Sequence, residues 1–369
     1  MLIVSDSWRR RTLKSILLWT LVSVGATQSI LGISQVFRGS DFGIRVLGEQ
    51  QLSIHATGVA KVDVPAGTSG EAGLTRSSVP TGTIEKTLRA YGTLPHPNVL
   101  GGVLLACLTA LTGTVLSKNS FKKLFLAHIA LGITLIGLIG TFSRSAWIST
   151  ILIVPGLLFC SHRNISSKLM KQLIFIIFIY LILLIVPSNK IKDAVSARIV
   201  PVGTDQFIQT RIDSFRDFST VIRGRYLLGA GTGTGFIETF RNIRNVDKSK
   251  NSNHSNVHRE YWQYQYPHSV PVVIVLEIGL VGLALVIGLV LCIARLIHVH
   301  YVNRLVPLRR LGYALLTLGV LVPLLTDHYL WTSQQGRVLF WGVLGTLLGL
   351  ATASPHEDPL PLKPISGNG

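Results

Sequence analysis

Acidic side chains are scarce here: 17 Asp and Glu stand among 369 residues, against 35 Lys and Arg. Charged residues of either sign make up only 14% of the chain. A soluble domain carries about a quarter, so the shortage argues against a water-exposed globular fold. Cysteine is scarce as well. Cys107, Cys160 and Cys292 are far apart, each within or at the end of an apolar run. That spacing excludes a disulfide framework and a thiolate metal site, and all three read as small core residues. No Gly-Lys-Ser/Thr closes a glycine-rich loop, which excludes a nucleotide P-loop. Nor does a basic domain stand apart from the apolar runs, so the net charge of +18 is no nucleic-acid footprint.

Long apolar runs are what the chain has. Hydrophobic residues make up 48% and mean hydropathy is +0.47. A helix needs about twenty mostly apolar residues to cross a bilayer. Residues 13–37, 95–116, 124–142, 146–160, 172–187, 270–297, 311–326 and 338–352 meet or approach that, the fourth as a short span. The fold expected is an all-α integral membrane protein, a polytopic bundle of about eight spans. The basic stretch Arg9–Arg11 runs into an apolar stretch with no small-residue cleavage site, which predicts a retained first helix. Lys and Arg collect in residues 1–14, 117–123, 161–171 and 296–310. The positive-inside rule makes these cytoplasmic, with both termini inside.

Residues 1–187 then form the N-terminal transmembrane part, with an outer loop at 38–94, and 270–352 form the C-terminal transmembrane part. Residues 353–369 form a Pro-rich tail, expected to be disordered and cytoplasmic. The long extracytoplasmic loop, 188–269, carries twelve Lys/Arg against seven acids, a surplus of five. Long loops escape the orientation rule, so the surplus invites the question of which anion it meets. Asp205–Tyr226 has apolar residues at helical spacing, which predicts an amphipathic helix. Gly229–Gly235 follows, and reads as a flexible connector or as a phosphate cradle.

Several residues carry both a plain and a chemical reading. His268 ends the long loop and opens the apolar run from Val270. It is an interfacial histidine or a general base, since imidazole exchanges protons near neutral pH. Arg144, in Ser143-Arg144-Ser145-Ala146-Trp147, is a snorkelling anchor or a planar clamp on phosphate oxygens. Arg211, Arg216, Arg223 and Arg225 either lie on a solvated helical face with Asp213 and Asp217 as partners or neutralise a diphosphate. Glu277, inside a span, should face the bundle interior and have a partner. Asp327-His328 could orient a substrate or hold a metal, with no third ligand at a recognisable spacing. His96, in Pro95-His96-Pro97-Asn98, starts a helix or lines the site.

Taken together these motifs resemble the O-antigen ligase and polymerase family of bacterial membrane glycosyltransferases. The most specific piece is His268-Ser269, nine residues, then Gly279-Leu280-Val281-Gly282. It is similar to the family's His-[Asn/Ser/Gln]-x9-Gly-x-x-[Gly/Thr/Tyr] pattern. Arg144 resembles the family's membrane-edge arginine. Arg211 with Leu228-Gly229-Ala230-Gly231 resembles its second arginine and glycine-rich turn, and Phe236 the aromatic after it. Arg89–Asn98 and Asp327–Trp331 read like members of one subgroup. Family members often carry more spans, and the difference would fall among N-terminal helices.

The resemblance implies transfer of a glycan from undecaprenyl diphosphate to an acceptor hydroxyl on the outer face of the bacterial cytoplasmic membrane. His268 would be the catalytic base. Arg144 and Arg211, helped by Arg223 and Arg225, would bind the diphosphate, with Glu277, Asp327, His328 and His96 in support. No metal, cofactor or nucleic acid is expected. The partners would be the lipid-linked donor, membrane lipid, and a glycan, lipid or protein acceptor. The motif is shared by ligases, polymerases and protein O-oligosaccharyltransferases. A transporter of lipid-linked sugar is the non-enzymatic alternative, although no inverted repeat is evident.

Overall fold

A computed structural model describes residues 11–65, 84–117, 121–151, 189–199, 222, 224–233, 267–302 and 319–352. The expected span 172–187, most of 146–160, half of 311–326, and the tail lie outside these residues. So do Arg211, Arg223, Phe236 and nearly all of the Asp205–Tyr226 segment.

The described chain is mostly helical. Helices run over Arg11–Arg38, Pro97–Ser117, Phe121–Gly140, Asn189–Ile199, Val270–Val302, Tyr329–Thr332 and Gln334–Thr352, and residues 144–151 are helical too. Among the described residues, Trp19–Arg38 and Val270–Val299 are long and apolar enough to cross a membrane, with mean hydropathy 1.2 and 2.8. Pro97–Thr112 and Leu126–Gly140 are shorter apolar helices. These fall where the sequence placed apolar spans. The second long helix keeps Leu285 and Leu291 70% and 62% exposed, as a lipid-facing surface would. Cys292 is exposed on the same helix, whereas Cys107 is buried as expected.

Two short strands depart from an all-α fold. Lys61–Pro65 pairs antiparallel with Ile84–Leu88, Lys61 opposite Leu88 and Pro65 opposite Ile84. Alternation shapes the first strand, where Val62 and Val64 are buried and Asp63 is exposed. In the second, Glu85 and Lys86 are exposed while Thr87 and Leu88, at the end that enters the protein, are buried. Val62 and Val64 join Ala194 and Val195 of the Asn189–Ile199 helix in one apolar cluster. The two long loops therefore meet on one side of the molecule.

Three helices form the N-terminal bundle, where Leu108 and Leu111 pack against Ala127, Leu131 and Leu135, with Val22 at the edge. Gln35 ties one end of it to the 38–94 segment. Its Nε2 donates to Glu49 Oε1 and to Gly92 O, both at 2.8 Å, while its Oε1 accepts from Gly92 N at 2.9 Å. Glu49 also accepts from Phe42 N and Ile44 N. Burial works against its charged form, yet these bonds hold its carboxyl below the usual value.

Candidate active site

His268 stands two residues before the Val270–Val302 helix, and its side chain is 18% exposed. Its Nδ1 lies 4.0 Å from Asp327 Oδ1. The His328 ring is tilted against it, centroids 5.4 Å apart. Asp327 and His328 occupy the bend between the 3-10 turn Val322–Leu325 and the Tyr329–Thr332 helix. The third group that spacing alone did not supply is therefore His268. Ligand atoms of His268, Asp327 and His328 all lie within 4.8 Å of one another. Two imidazoles and a carboxylate are a donor set that can hold a divalent ion. The same three groups serve equally as a base, its partner carboxylate and a neighbour.

Asp327 is held from several directions. Its Oδ1 accepts from His328 N at 2.7 Å, and its Oδ2 accepts from Asn98 Nδ2. Burial alone would raise its pKa. The rings of His328, His268 and His96, with the His328 backbone N–H, outweigh that and hold the carboxyl low. Burial pulls the His328 imidazole below its ordinary value, and Asp327 opposes the shift. His328 Nδ1 meets Thr332 Oγ1 at 2.7 Å, which sets the ring's orientation.

His96 works at the helix start. Its Nδ1 accepts from Asn98 N at 3.2 Å, and its carbonyl accepts from Val99 N and Leu100 N. With Pro97 at the first position, this is an N-terminal cap that also presents Asn98 to Asp327.

Glu277 is buried and accepts from Trp331 Nε1 at 3.0 Å. It thereby ties the helix after His268 to the segment that carries Asp327 and His328. Two residues on, Gly279 breaks the helix with φ 72° and ψ −173°. The carbonyls released there meet the glycine-rich turn. Ala230 N donates to Leu276 O at 2.7 Å and Gly231 N to Glu277 O at 2.8 Å, while Leu280 N donates to Tyr226 O at 2.8 Å. A Cβ on Gly279 would lie 2.0 Å from Leu227 O, and one on Gly229 would lie 2.5 Å from the Glu277 carbonyl carbon. Residues 226–231 are thus docked on a helix break, where the sequence suggested a connector or a phosphate cradle. The described end of the expected Asp205–Tyr226 helix, residues 222 and 224–226, is turn and coil.

Arg144 lies exposed at the start of the 144–151 helical run, after a tight turn in which buried Phe142 takes φ 48°. Its Nε donates to Arg198 O at 3.0 Å, reaching the second long loop. Arg225 is exposed on the docked turn, where its carbonyl accepts from Gly229 N.

Two residues without an assigned role in the sequence join these parts. Arg89 is 4% exposed. Its Nε donates to Thr141 O at 2.7 Å, and its Nη2 donates to Asn98 Oδ1 at 2.6 Å. Burial lowers its pKa to about 9, with Arg198 and Arg144 adding to the shift, and it stays charged at neutral pH. A hydrogen-bonded path therefore leads from the turn before Arg144, through Arg89 and Asn98, to Asp327 beside His268. The sequence signal was weak. Arg89 and Asn98 are ordinary polar residues flanking a proline-rich helix start, and only folding brings Asp327 to them.

Residues 129–287 match the model of the family described as O-antigen ligase. No curated protein matches the chain.

Proposed function

We propose, from the match of residues 129–287 to the O-antigen ligase family, that this helical membrane protein is a glycosyltransferase of the bacterial cytoplasmic membrane. It moves a glycan from undecaprenyl diphosphate to an acceptor hydroxyl at the outer face, and both termini lie inside. The observation that carries this reading is His268 at the end of an apolar helix, 4.0 Å from a buried carboxylate. That carboxylate lies on the hydrogen-bonded path leading toward Arg144.

His268 takes the acceptor's proton while the acceptor oxygen bonds to the sugar C1. The bond from C1 to the diphosphate oxygen breaks, and undecaprenyl diphosphate leaves as an anion. Arg144, with Arg211, Arg223 and Arg225, binds that growing charge. Guanidinium groups suit that task because they give phosphate oxygens paired, charge-assisted hydrogen bonds. Glu277, Asp327, His328 and His96 hold the base side in place. The reaction needs no metal in this scheme.

The test is purified protein in lipid nanodiscs with an undecaprenyl-diphosphate-linked oligosaccharide, followed by mass analysis of what becomes glycosylated. His268→Ala should lower turnover by about 10²- to 10⁴-fold, as loss of a general base does. Arg144→Ala and Arg211→Ala should each cost about 10²- to 10³-fold. Full activity in all three rejects the scheme. A chelator that abolishes transfer would recast His268, Asp327 and His328 as metal ligands. Movement of the intact donor across proteoliposomes without transfer would make the protein a transporter.

A further inference from the structure

We propose that Asn98 is a positioning residue of the reaction: clamped by Arg89, it holds Asp327 against His268 and joins the base to the arginine side of the site. The proposal rests on the glycosyltransferase reading above. It assigns roles to two residues that the functional scheme leaves out.

The geometry points one way at each link. Asn98 uses both ends of its amide. Oδ1 accepts from Arg89 Nη2 at 2.6 Å, and Nδ2 donates to Asp327 Oδ2. The first bond therefore fixes the amide flip, because only its oxygen can face a guanidinium. That leaves the NH2 end aimed at the carboxylate. Asp327 is 4% exposed. With Oδ2 held by Asn98 and Oδ1 by the His328 backbone N–H, the carboxylate cannot rotate. Oδ1 is the atom that faces His268 Nδ1.

Arg89 is fixed in turn by Thr141 O, three residues before Arg144. Its position is thus set by the turn that places the diphosphate arginine. The donor's leaving group and the acceptor's base must be held at one spacing for an in-line displacement. A rigid polar path between them supplies that spacing, and a misplacement of about 1 Å can cost a hundredfold in rate.

The bland alternative is that Asn98 merely starts the Pro97–Ser117 helix, being its second residue. The two roles separate on one substitution. Asn98→Asp suits a helix's first turn, where negative charge is favourable, and it keeps an acceptor for Arg89. It removes the donor to Asp327 and sets two carboxylates face to face.

The experiment uses the full chain in nanodiscs, with kcat and KM for the lipid-linked donor, and with thermal unfolding as a check on folding. Asn98→Asp and Asn98→Ala should fold, with kcat down about a hundredfold and donor KM within about twofold of wild type. Asn98→Ala combined with Asp327→Ala should be no slower than Asp327→Ala alone, because a residue acting through another is not additive with it. Arg89→Lys, which keeps charge but loses the fork, should lower kcat in the same direction.

Wild-type kcat in Asn98→Asp would overturn the inference while leaving the glycosyltransferase reading intact. Losses that multiply in the double variant would do the same. A wild-type protein that transfers no glycan, or a fully active His268→Ala, would overturn the reading and the inference together.

Discussion

At the scale of single residues, charge matters less than what each charge touches. Arg89 and Arg144 carry the same group, yet one is buried between a carbonyl and an amide and the other lies exposed at a turn. Arg89 is therefore held in one geometry by its two partners, whereas Arg144 keeps a face open to solvent. Glu277 follows the same logic. It is a buried acceptor for Trp331 Nε1, so its oxygen matters more than its charge. Glu277→Gln should keep that acceptor and stay near wild-type stability. Trp331→Phe removes the donor and leaves a buried carboxylate oxygen unsatisfied, which costs about 1–3 kcal/mol. Thermal unfolding of the two variants in the same detergent checks this. A Trp331→Phe protein as stable as wild type would show that the bond contributes nothing.

At the scale of elements, the apolar runs were legible and the breaks in them were not. Helices Arg11–Arg38, Pro97–Ser117, Phe121–Gly140 and Val270–Val302 fall on runs the sequence offers plainly, because a lipid-facing helix must be apolar. The hairpin at 61–65 and 84–88 escaped notice, since its alternation is short and sits in a loop rich in small polar residues. His268, Glu277 and the Asp327-His328 pair each stand out in the sequence. That His268 meets the pair does not, because tertiary folding joins positions about sixty apart in the chain. The docking of the glycine-rich turn is hidden in the sequence for the same reason. Glycine-rich composition suggests freedom, yet Gly229 and Gly279 are there to let two backbones touch. Gly279→Ala should therefore act on the turn more than on the helix. The left-handed conformation costs about 1–3 kcal/mol in an alanine, and the clash with Leu227 O forces residues 226–231 away. The expected outcome is a lower unfolding temperature, faster proteolytic cleavage near residue 228, and loss of glycan transfer. Wild-type cleavage and transfer in Gly279→Ala would show that the docked turn is dispensable.

At the scale of the whole molecule, both long loops belong to one side. Val62 and Val64 of the first meet Ala194 of the second, and Arg144 reaches the carbonyl of Arg198. His268 sits where the second loop re-enters an apolar helix. Sugars on a membrane carrier can be joined at such a place only if every one of these parts faces the same water phase. That requirement has a direct test in intact cells. In a background without native cysteines, Val46→Cys, which is 98% exposed on the first loop, and Leu228→Cys, 76% exposed on the docked turn, should both react with a membrane-impermeant maleimide. A cysteine at Lys122, in the basic segment that the positive-inside rule assigns to the cytoplasm, should react only after the membrane is opened. If Val46→Cys and Leu228→Cys were labelled from opposite sides, the two loops could not share a site. The arginines and the histidine would then serve different compartments.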